Sequence, residues 1–314
     1  MKLMLIALLI GSAAPALAAP DIWMIPPSHS NGVCFRELFE QPDAWKRTRR
    51  AVKALGYADH QLNRQFSDEE LGRWLPMVRK WGLKLALEVG AVKPWGPTGR
   101  KCFDAQLPMW NRFRRLGATI YAIALDEPLC CVRKDLKQPD AYAVEETAQF
   151  IARVRAHDPQ MLIGDIEPYP FVPEPDLERW IDALQARLKE LGVRGMDFFR
   201  IDVDWVSFGL AHKGSWQEVK KIEDFCRSKS LPFSLIVWAS DWPYKHSQGQ
   251  SDAMTWRDSC MRQLDDYTAI GGKPDQIVVE SWIDTPAHST PESRPDTFAG
   301  SVLDAARRVR TRSR

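Results

Sequence analysis

Apolar runs of strand length alternate along the chain with longer segments in which apolar residues recur at helical spacing. The strand candidates are residues 21–27, 56–62, 83–90, 119–127, 161–168, 197–205, 233–241 and 276–282. Helices are expected between and after them, at residues 41–55, 67–82, 104–117, 140–157, 175–192, 214–229, 251–269 and 296–310. This regular alternation predicts parallel strands joined by right-handed crossovers.

Several of the helix boundaries carry specific signals. Pro42 and Asp43 suit a helix start, Ser67 precedes a run of acids as an N-cap would, and Gly192 suits a helix end. Eight strand–helix units close into a barrel that typically needs about 250 residues. We therefore predict an α/β fold, a single (β/α)8 TIM barrel at residues 19–314, with no linker or second domain.

The first residues resemble an export signal. Lys2 precedes an apolar run at residues 3–10, and Ala16, Leu17 and Ala18 supply the small residues of a cleavage site. The apolar run is too short to cross a bilayer. We expect a signal peptide at residues 1–18, cleavage after Ala18, a periplasmic or secreted protein, and no membrane span later in the chain.

Acids collect at the ends of six consecutive predicted strands. They are Glu88, Asp126, Glu127, Asp165, Glu167, Asp202, Asp204, Asp241 and Glu280. Burying such groups without a partner would be costly, so their position needs an explanation. Active sites of this barrel form at the C-terminal strand ends, which predicts that the acids share one mouth.

Strand alternation predicts which side chains point into the lumen. In strand four, Tyr121, Ile123 and Leu125 are expected to face the helices, which turns Asp126 inward and leaves Glu127 at the rim. Asp165 and Glu167 share one face of strand five. The alternative for any single acid is a helix cap or an ion pair with Arg200 or Lys84. The alternation also places these side chains inside: Lys84, Glu88, Arg200, Asp202, Asp204, Glu280 and Trp282.

Thirteen tryptophans add to this picture. Four follow strand ends and Trp95 follows strand three, whereas most of the others are expected to pack between barrel and helices. Indole faces cover the C–H face of a pyranose, and carboxylates accept hydrogen bonds from sugar hydroxyls. A net charge of +2 neither favours nor excludes an anionic partner. The predicted substrate-binding residues are Glu88, Asp126, Asp165, Glu167, Arg200, Trp205, Trp238, Asp241 and Trp282.

Glycoside hydrolysis needs two carboxyl groups beside one bond, and crowding raises the pKa of one of them. The segment ALDEP at 124–128 resembles the strand-four NEP motif of the large clan of retaining (β/α)8 glycosidases, and VVESW at 278–282 resembles its nucleophile strand. The resemblance implies that Glu127 is the acid/base and Glu280 the nucleophile. This chain departs from the clan in two ways: Asp126 replaces the Asn, and Glu280 is on strand eight where the clan uses strand seven.

Other pairs remain open. The segment at 196–205 resembles a chitinase strand, although it is strand six here and Val206 replaces the final Glu. Asp202 or Asp204 could act with a strand-four acid, and Glu167 could replace either member. The expected activity is that of an exported glycosidase acting on a polysaccharide or oligosaccharide.

Two other functions compete with this one. The first is a non-catalytic carbohydrate-binding barrel, and the second is a hydrolase that uses the acids to hold Mg²⁺ or Ca²⁺. Phosphate chemistry is disfavoured because the chain has no glycine-rich phosphate loop and the mouth is acidic. We expect a carbohydrate partner, with no cofactor and no nucleic acid.

Six cysteines in an oxidising compartment predict disulfides. We expect Cys102 to pair with Cys130 or Cys131 and Cys34 to take the other. Cys226 and Cys260 lie in neighbouring helical segments and form a plausible third pair. The chain has no Cys-x-x-Cys motif and its histidines are scattered, so the sequence gives a zinc site little support.

Overall fold

The computed structural model describes residues 19–250 and 252–312 and confirms the predicted TIM barrel. Its strands are all parallel, pair in chain order, and close when β8 pairs with β1. The signal peptide predicted at residues 1–18 lies outside the described residues. The strands are β1 Asp21–Ile25, β2 Ala54–Ala58, β3 Lys84–Val89, β4 Ile120–Asp126, β5 Leu162–Tyr169, β6 Phe198–Val203, β7 Phe233–Val237 and β8 Gln276–Glu280.

The helices surround the barrel, and short ones add to its loops. They are α1 Val33–Glu40, α2 Lys46–Ala51, α3 Asp59–Gln65, α4 Asp68–Lys80, α5 Gly99–Arg115, α6 Pro128–Cys131, α7 Asp140–His157, α8 Glu174–Glu190, α9 Val206–Leu210, α10 Trp216–Ser228, α11 Trp242–Ser247, α12 Ala253–Ala269 and α13 Phe298–Arg312. Shorter turns are 3₁₀ at Ser30–Gly32 and Pro42–Trp45 and π-helical at Val132–Leu136. Within the described residues, no helix is long and apolar enough to span a membrane.

Two of the predicted helix boundaries have the expected physical cause. Ser67 caps α4 by accepting from the Glu70 amide, while the Glu70 carboxylate accepts from the Ser67 amide in return. Gly192 follows α8 with φ 67°, a left-handed conformation that favours glycine. Local interactions thus fix the start of α4 and the end of α8.

The second strand is displaced from its predicted position. β2 begins at Ala54 rather than at residue 56, and residues 59–65 form α3 instead of continuing the strand. The helix predicted at 41–55 is correspondingly shorter, because the backbone is already extended at Val52. The inward positions of β2 are small residues, and a Cβ on Gly56 would lie 2.6 Å from Ile25. A strand without large inward side chains gives a weak apolar alternation, which explains the error.

A compact apolar cluster fills the lumen below the mouth. Trp23 and Phe198 meet edge-to-face with their ring centroids 5.7 Å apart, beside small residues such as Ala86 and Ala122. A second, larger cluster lies between the sheet and the helices. The lumen is therefore a packed core and not a channel, and enzymes of this fold carry out their chemistry at its C-terminal end.

Strand β4 contains a bulge that corrects one expectation. Leu85 pairs with Ile120 and Ala86 pairs with Ala122, so Tyr121 is an extra residue in the ladder. Tyr121 consequently packs against the lumen cluster, 6.3 Å from Trp23, and not against the helices.

The structure forms none of the predicted disulfides: all six cysteines are free and buried. The thiols that follow β1 and β3 are separately engaged, since Cys34 of α1 donates to the Pro286 carbonyl and Cys102 of α5 donates to the Gly96 carbonyl. Burial raises the pKa of the Cys102 thiol to about 12, which keeps it protonated and poorly reactive. This corrects the expectation for Cys130, Cys131, Cys226 and Cys260 as well.

A pair of glycine substitutions tests the packing of the lumen. A Cβ on Gly164 would overlap the Phe198 ring, so Gly164→Ala should lower the free energy of unfolding by about 1–3 kcal/mol. Gly72 is exposed in α4 and meets only one distant atom, so Gly72→Ala should raise it by up to about 1 kcal/mol. Urea unfolding measures both. Equal stability of Gly164→Ala and the wild type would contradict the described lumen packing.

Candidate active site

Acids from four strands line the upper end of the lumen. They are Glu88 on β3, Asp126 on β4, Asp202 on β6 and Glu280 on β8. Glu88, Asp126 and Glu280 each lie two residues beyond a member of the apolar lumen cluster, and Asp202 lies four residues beyond Phe198, so strand alternation puts all four on the lumen face. Their mutual interactions, described below, show that the strand ends bring these carboxyl groups together.

Glu88 and Glu280 form the centre of the site, because their carboxyl groups are hydrogen-bonded to each other. Two carboxyl groups can share a hydrogen bond only when one of them is protonated. Burial and the mutual negative charge raise both pKa values, that of Glu88 to about 7 and that of Glu280 well above its usual range. As pH rises through about 7, Glu88 therefore ionises first while Glu280 keeps its proton, and the pair then holds one proton and one negative charge.

Arg200 balances that negative charge from below. Its side chain is 1% exposed, and its Nε donates to Ser234 Oγ at 3.0 Å. The guanidinium lies 4.9 Å from the Trp23 ring centroid and 5.1 Å from that of Phe198. Burial lowers its pKa to about 10, while the charges of Glu280 and Glu88 oppose that effect. The predicted role of Arg200 in contacting substrate is corrected: it lies under the carboxyl pair.

Asp202 and Glu127 form a second interacting pair. Burial, and next the negative charge of Glu127, raise the pKa of Asp202 well above its usual range. Burial followed by the charge of Asp126 raises the pKa of Glu127. Glu127 begins α6 in a left-handed conformation, φ 49° and ψ 52°, one residue beyond β4. A strained backbone at this residue holds it at the rim, as its position after the strand predicts.

The loop after β3 carries the expected Trp95 together with a cation, Lys93, that the strand pattern did not reveal. Lys93 Nζ pairs with Asp126 at 2.5 Å, and the two backbone hydrogen bonds between Lys93 and Gly96 are 3.0 and 2.9 Å long. Burial lowers the pKa of Lys93, but its partner Asp126 outweighs this effect and leaves the pKa raised. Trp95 lies within this short loop and is 59% exposed.

Gly90 fixes the position of the Trp95 ring. A Cβ at Gly90 would lie 2.8 Å from the Trp95 ring and from the Lys93 side chain. Both polar backbone atoms of Gly90 are bonded to the Gln106 side chain. One edge of the Trp95 ring thus lies against Gly90, and most of the side chain faces solvent.

Two predicted binding residues on β5 face away from the lumen. Asp165 accepts from the Trp180 indole of α8 at 2.6 Å, and Glu167 accepts from the backbone amides of Leu129 and Cys130 at 2.6 and 3.0 Å. They do share one face, as predicted, but Ile166 between them belongs to the lumen cluster. Asp165 and Glu167 therefore serve the helix layer and do not line the mouth.

The remaining predicted acids are engaged locally. Asp241 accepts from the Ser259 hydroxyl and pairs with Lys245 at 2.7 Å. Asp204 accepts from the Ser207 hydroxyl at 2.6 Å at the start of α9. Both lie at the C-terminal ends of the barrel strands, and each is engaged by a hydroxyl group of a neighbouring helix.

The tryptophans at the strand ends also fall into two groups, one that borders the mouth and one that packs among the outer helices. The ring centroids of Trp238 and Trp282 are 4.3 Å apart, and both rings pack onto the lumen cluster, so they border the mouth. Trp205 is 8% exposed and packs with the outer cluster, with the Arg262 guanidinium 5.4 Å from its ring. Trp205 is therefore displaced from the mouth toward the helices that follow β6 and β7.

Asp59 is a further strand-end acid that the sequence analysis missed. It follows β2, is 2% exposed, and accepts from the Trp110 indole of α5 at 2.9 Å. Burial raises its pKa to about 7. The predicted strand at 56–62 put Asp59 in the middle of a strand, so the misplaced boundary hid it. Like Asp165, it satisfies an indole of the helix layer.

Metal coordination finds no support in the arrangement of these groups. Across residues 19–250 and 252–312, no three or more His, Cys, Asp or Glu side chains are grouped so that they could hold a metal ion. The hydrolase that uses Mg²⁺ or Ca²⁺ therefore lacks a candidate site within this part of the chain.

Comparison with known proteins supports the fold. No family model and no curated protein matches the chain. A thermostable mutant of a xylanase from Cellvibrio japonicus is similar, with TM-score 0.56, 13% identity and coverage of 92% of this chain and 97% of that chain. A mutant of xylanase A from P. fluorescens subsp. cellulosa in complex with xylopentaose has TM-score 0.54, 13% identity and coverage of 92% and 98%. The catalytic domain of a Paenibacillus polymyxa β-amylase has TM-score 0.51, 9% identity and coverage of 92% and 99%. At such identities these similarities show a common barrel.

The raised pKa of Glu88 predicts a specific dependence of stability on pH. The folded state holds this proton up to about pH 7, whereas the unfolded chain releases it near about 4.3. The stabilising contribution is thus complete below the unfolded pKa and is lost as pH rises through about 7. Glu88→Gln should raise the unfolding midpoint by about 2 °C or more at about pH 8.5 and have little effect at about pH 5.

Differential scanning calorimetry at the two pH values checks this prediction. Glu145→Gln is a suitable control because Glu145 pairs with Arg187 in the outer helix layer, far from the lumen. A midpoint difference between Glu88→Gln and the wild type that is the same at both pH values would show that Glu88 is not protonated in the folded protein.

Proposed function

We propose that this protein is a glycoside hydrolase that cleaves a neutral polysaccharide or oligosaccharide after export. The observation that carries the proposal is the set of carboxyl groups with raised pKa around one mouth, contributed by β3, β6, β8 and the residue after β4. Such a set supplies both a protonated acid and an ionised carboxylate near neutral pH, which is the requirement of glycosidic cleavage.

Glu127 is the proposed general acid. The raised pKa of Glu127 favours its protonated form. Glu127 also lies at the rim, where the carboxyl group of Asp202 is its neighbour. Its left-handed backbone is a strained conformation for a residue other than glycine, and strain of this kind clusters at functional sites. In the reaction, the Glu127 proton passes to the glycosidic oxygen as the bond to the anomeric carbon breaks.

Glu280 is the proposed carboxylate partner. In the resting pair Glu280 donates its proton in a hydrogen bond to Glu88, and transfer of that proton to Glu88 leaves Glu280 ionised, with Arg200 below both. Glu88 and Arg200 thereby stabilise the ionised Glu280 carboxylate, whose oxygen attacks the anomeric carbon. Water then hydrolyses the glycosyl ester, and its proton returns to Glu127. Asp202 is the alternative partner, since its Oδ1 is buried and has no hydrogen-bond partner among the described residues.

Exposed and rim aromatic groups support a sugar as the substrate. Trp95 presents an exposed indole on the β3 side, and the Trp238–Trp282 pair borders the mouth on the β7 and β8 side. Lys93 and Asp126 neutralise each other and leave polar atoms for hydroxyl groups. The arrangement suits an uncharged polyol with apolar C–H faces.

A non-catalytic carbohydrate-binding barrel is the second candidate, and one observation favours it. Glu280 is only 5% exposed and already hydrogen-bonded to Glu88, so a substrate must displace or approach it closely before it can react. A binding protein would keep the aromatic surfaces without requiring that step.

Incubation of the protein with a panel of plant and bacterial glycans separates the two functions. Mass spectrometry should detect released oligosaccharides from at least one glycan if the protein is a hydrolase. Retention of a glycan with no release of reducing ends would favour the binding protein. Neither retention nor release across the panel would contradict both.

Substitution of the proposed pair tests the mechanism. On the glycan that is hydrolysed, Glu127→Gln and Glu280→Gln should each reduce turnover at least about a thousandfold, because each removes a group that acts in the transition state. Glu145→Gln should retain wild-type turnover. Near-normal turnover of both active-site variants would exclude this pair and direct attention to Asp202 and Asp204.

A further inference from the structure

A second concave region lies beside the mouth, among the helices that follow β6 and β7. A cavity of about 470 Å³ opens between α9 and α11 and is bordered by α10 and α12. Its apolar lining includes Trp205, Phe208, Leu210, Trp216 and Tyr244. The volume falls within the range of about 300–1,000 Å³ that is usual for small-ligand sites. We call this region the α9–α11 cavity.

Two large side chains in the lining of the α9–α11 cavity are exposed to a ligand. Tyr244 is 48% exposed and Leu210 is 58% exposed. Both side chains therefore leave apolar surface open to solvent. Trp216 is held in place by the rings of Phe208 and Tyr267, at centroid distances of 5.2 and 5.5 Å. The cavity thus combines a fixed indole with two open apolar side chains, a lining suited to the C–H faces of a sugar ring.

The charges in the α9–α11 cavity cancel. Lys245 pairs with Asp241 at 2.7 Å, and Arg262 pairs with Asp266 at 3.5 Å. Both pairs belong to the lining, so no net charge selects an anionic or a cationic ligand.

The α9–α11 cavity also lies opposite the exposed Trp95. The barrel order places β3 and β7 four strands apart in either direction around the eight-strand ring, so the loops that follow them face each other across the mouth. A linear chain that stacks on Trp95 and continues over Glu88 and Glu280 reaches the loops of β6 and β7 on the far side. Two aromatic regions on opposite sides of one mouth fit a chain of several units.

We infer that the α9–α11 cavity is a distal subsite that binds a neutral sugar unit of the same linear glycan whose cleavage is proposed above. This inference rests on the proposed function and narrows its substrate class to chains long enough to occupy both sides of the mouth. A short oligosaccharide fills the mouth alone, whereas a longer one also gains the contacts with Tyr244 and Leu210.

Binding measurements in the Glu280→Gln background test the subsite without hydrolysis. Calorimetric titration uses cellohexaose, xylohexaose, maltohexaose and chitohexaose, each compared with its trisaccharide. For the hexasaccharide that binds, Tyr244→Ala should weaken affinity about tenfold, which corresponds to about 1.4 kcal/mol, and should leave trisaccharide affinity within about twofold. Tyr244→Phe is the matched control, because it keeps the ring and should bind both as the background protein does.

The outcomes separate the subsite from the hydrolase. Loss of affinity for the hexasaccharide alone supports the subsite, and it does so even when the protein with Glu280 intact releases no product and the hydrolase proposal fails. Equal affinities of Tyr244→Ala and the background protein, or equal losses for both chain lengths, overturn the subsite and leave the hydrolase standing. No binding of any of these glycans overturns the subsite together with this substrate class. Leu210→Ala provides a second exposed position with the same expected pattern.

Discussion

Burial of several carboxyl groups in one closed cup is the constraint on which this structure depends. The lumen is filled by apolar side chains below the mouth, so Glu88 and Glu280 cannot both be ionised without a large desolvation cost. Sharing a proton removes one charge, and Arg200 compensates the other. The same arrangement keeps a carboxylate and carboxylic acids together near neutral pH. Stability of the barrel and the proposed chemistry thus follow from one set of contacts.

Strand alternation decides whether an acid belongs to the mouth or to the scaffold. Acids on the lumen face interact with one another, whereas Asp59 and Asp165, on the opposite face, each accept from an indole N–H of a surrounding helix. Glu167 likewise satisfies amide groups at the start of α6. Buried indoles and helix ends need acceptors, and strand ends are where the helices can reach them. Counting acids at strand ends therefore overstates the size of the active site.

The order of elements could be predicted because a parallel strand gives a long apolar run and its helix gives a distinct period. The location of β2 could not, since small inward residues such as Gly56 remove the apolar signal. The bulge at Tyr121 depends on pairing between strands, and the ion pair of Lys93 with Asp126 joins distant segments. Disulfides were expected from the compartment, but cysteine spacing contains no information on where each sulfur lies.

Infrared difference spectroscopy of protein with isotope-labelled glutamate tests the shared proton most directly. The account predicts a carboxylic acid C=O band that persists near neutral pH and is lost at higher pH. In the Glu280→Gln variant this band should weaken, because Glu88 then ionises beside Arg200 with an amide as its hydrogen-bond donor. A wild-type spectrum without protonated glutamate near neutral pH, or a band that Glu280→Gln leaves unchanged, would contradict the account.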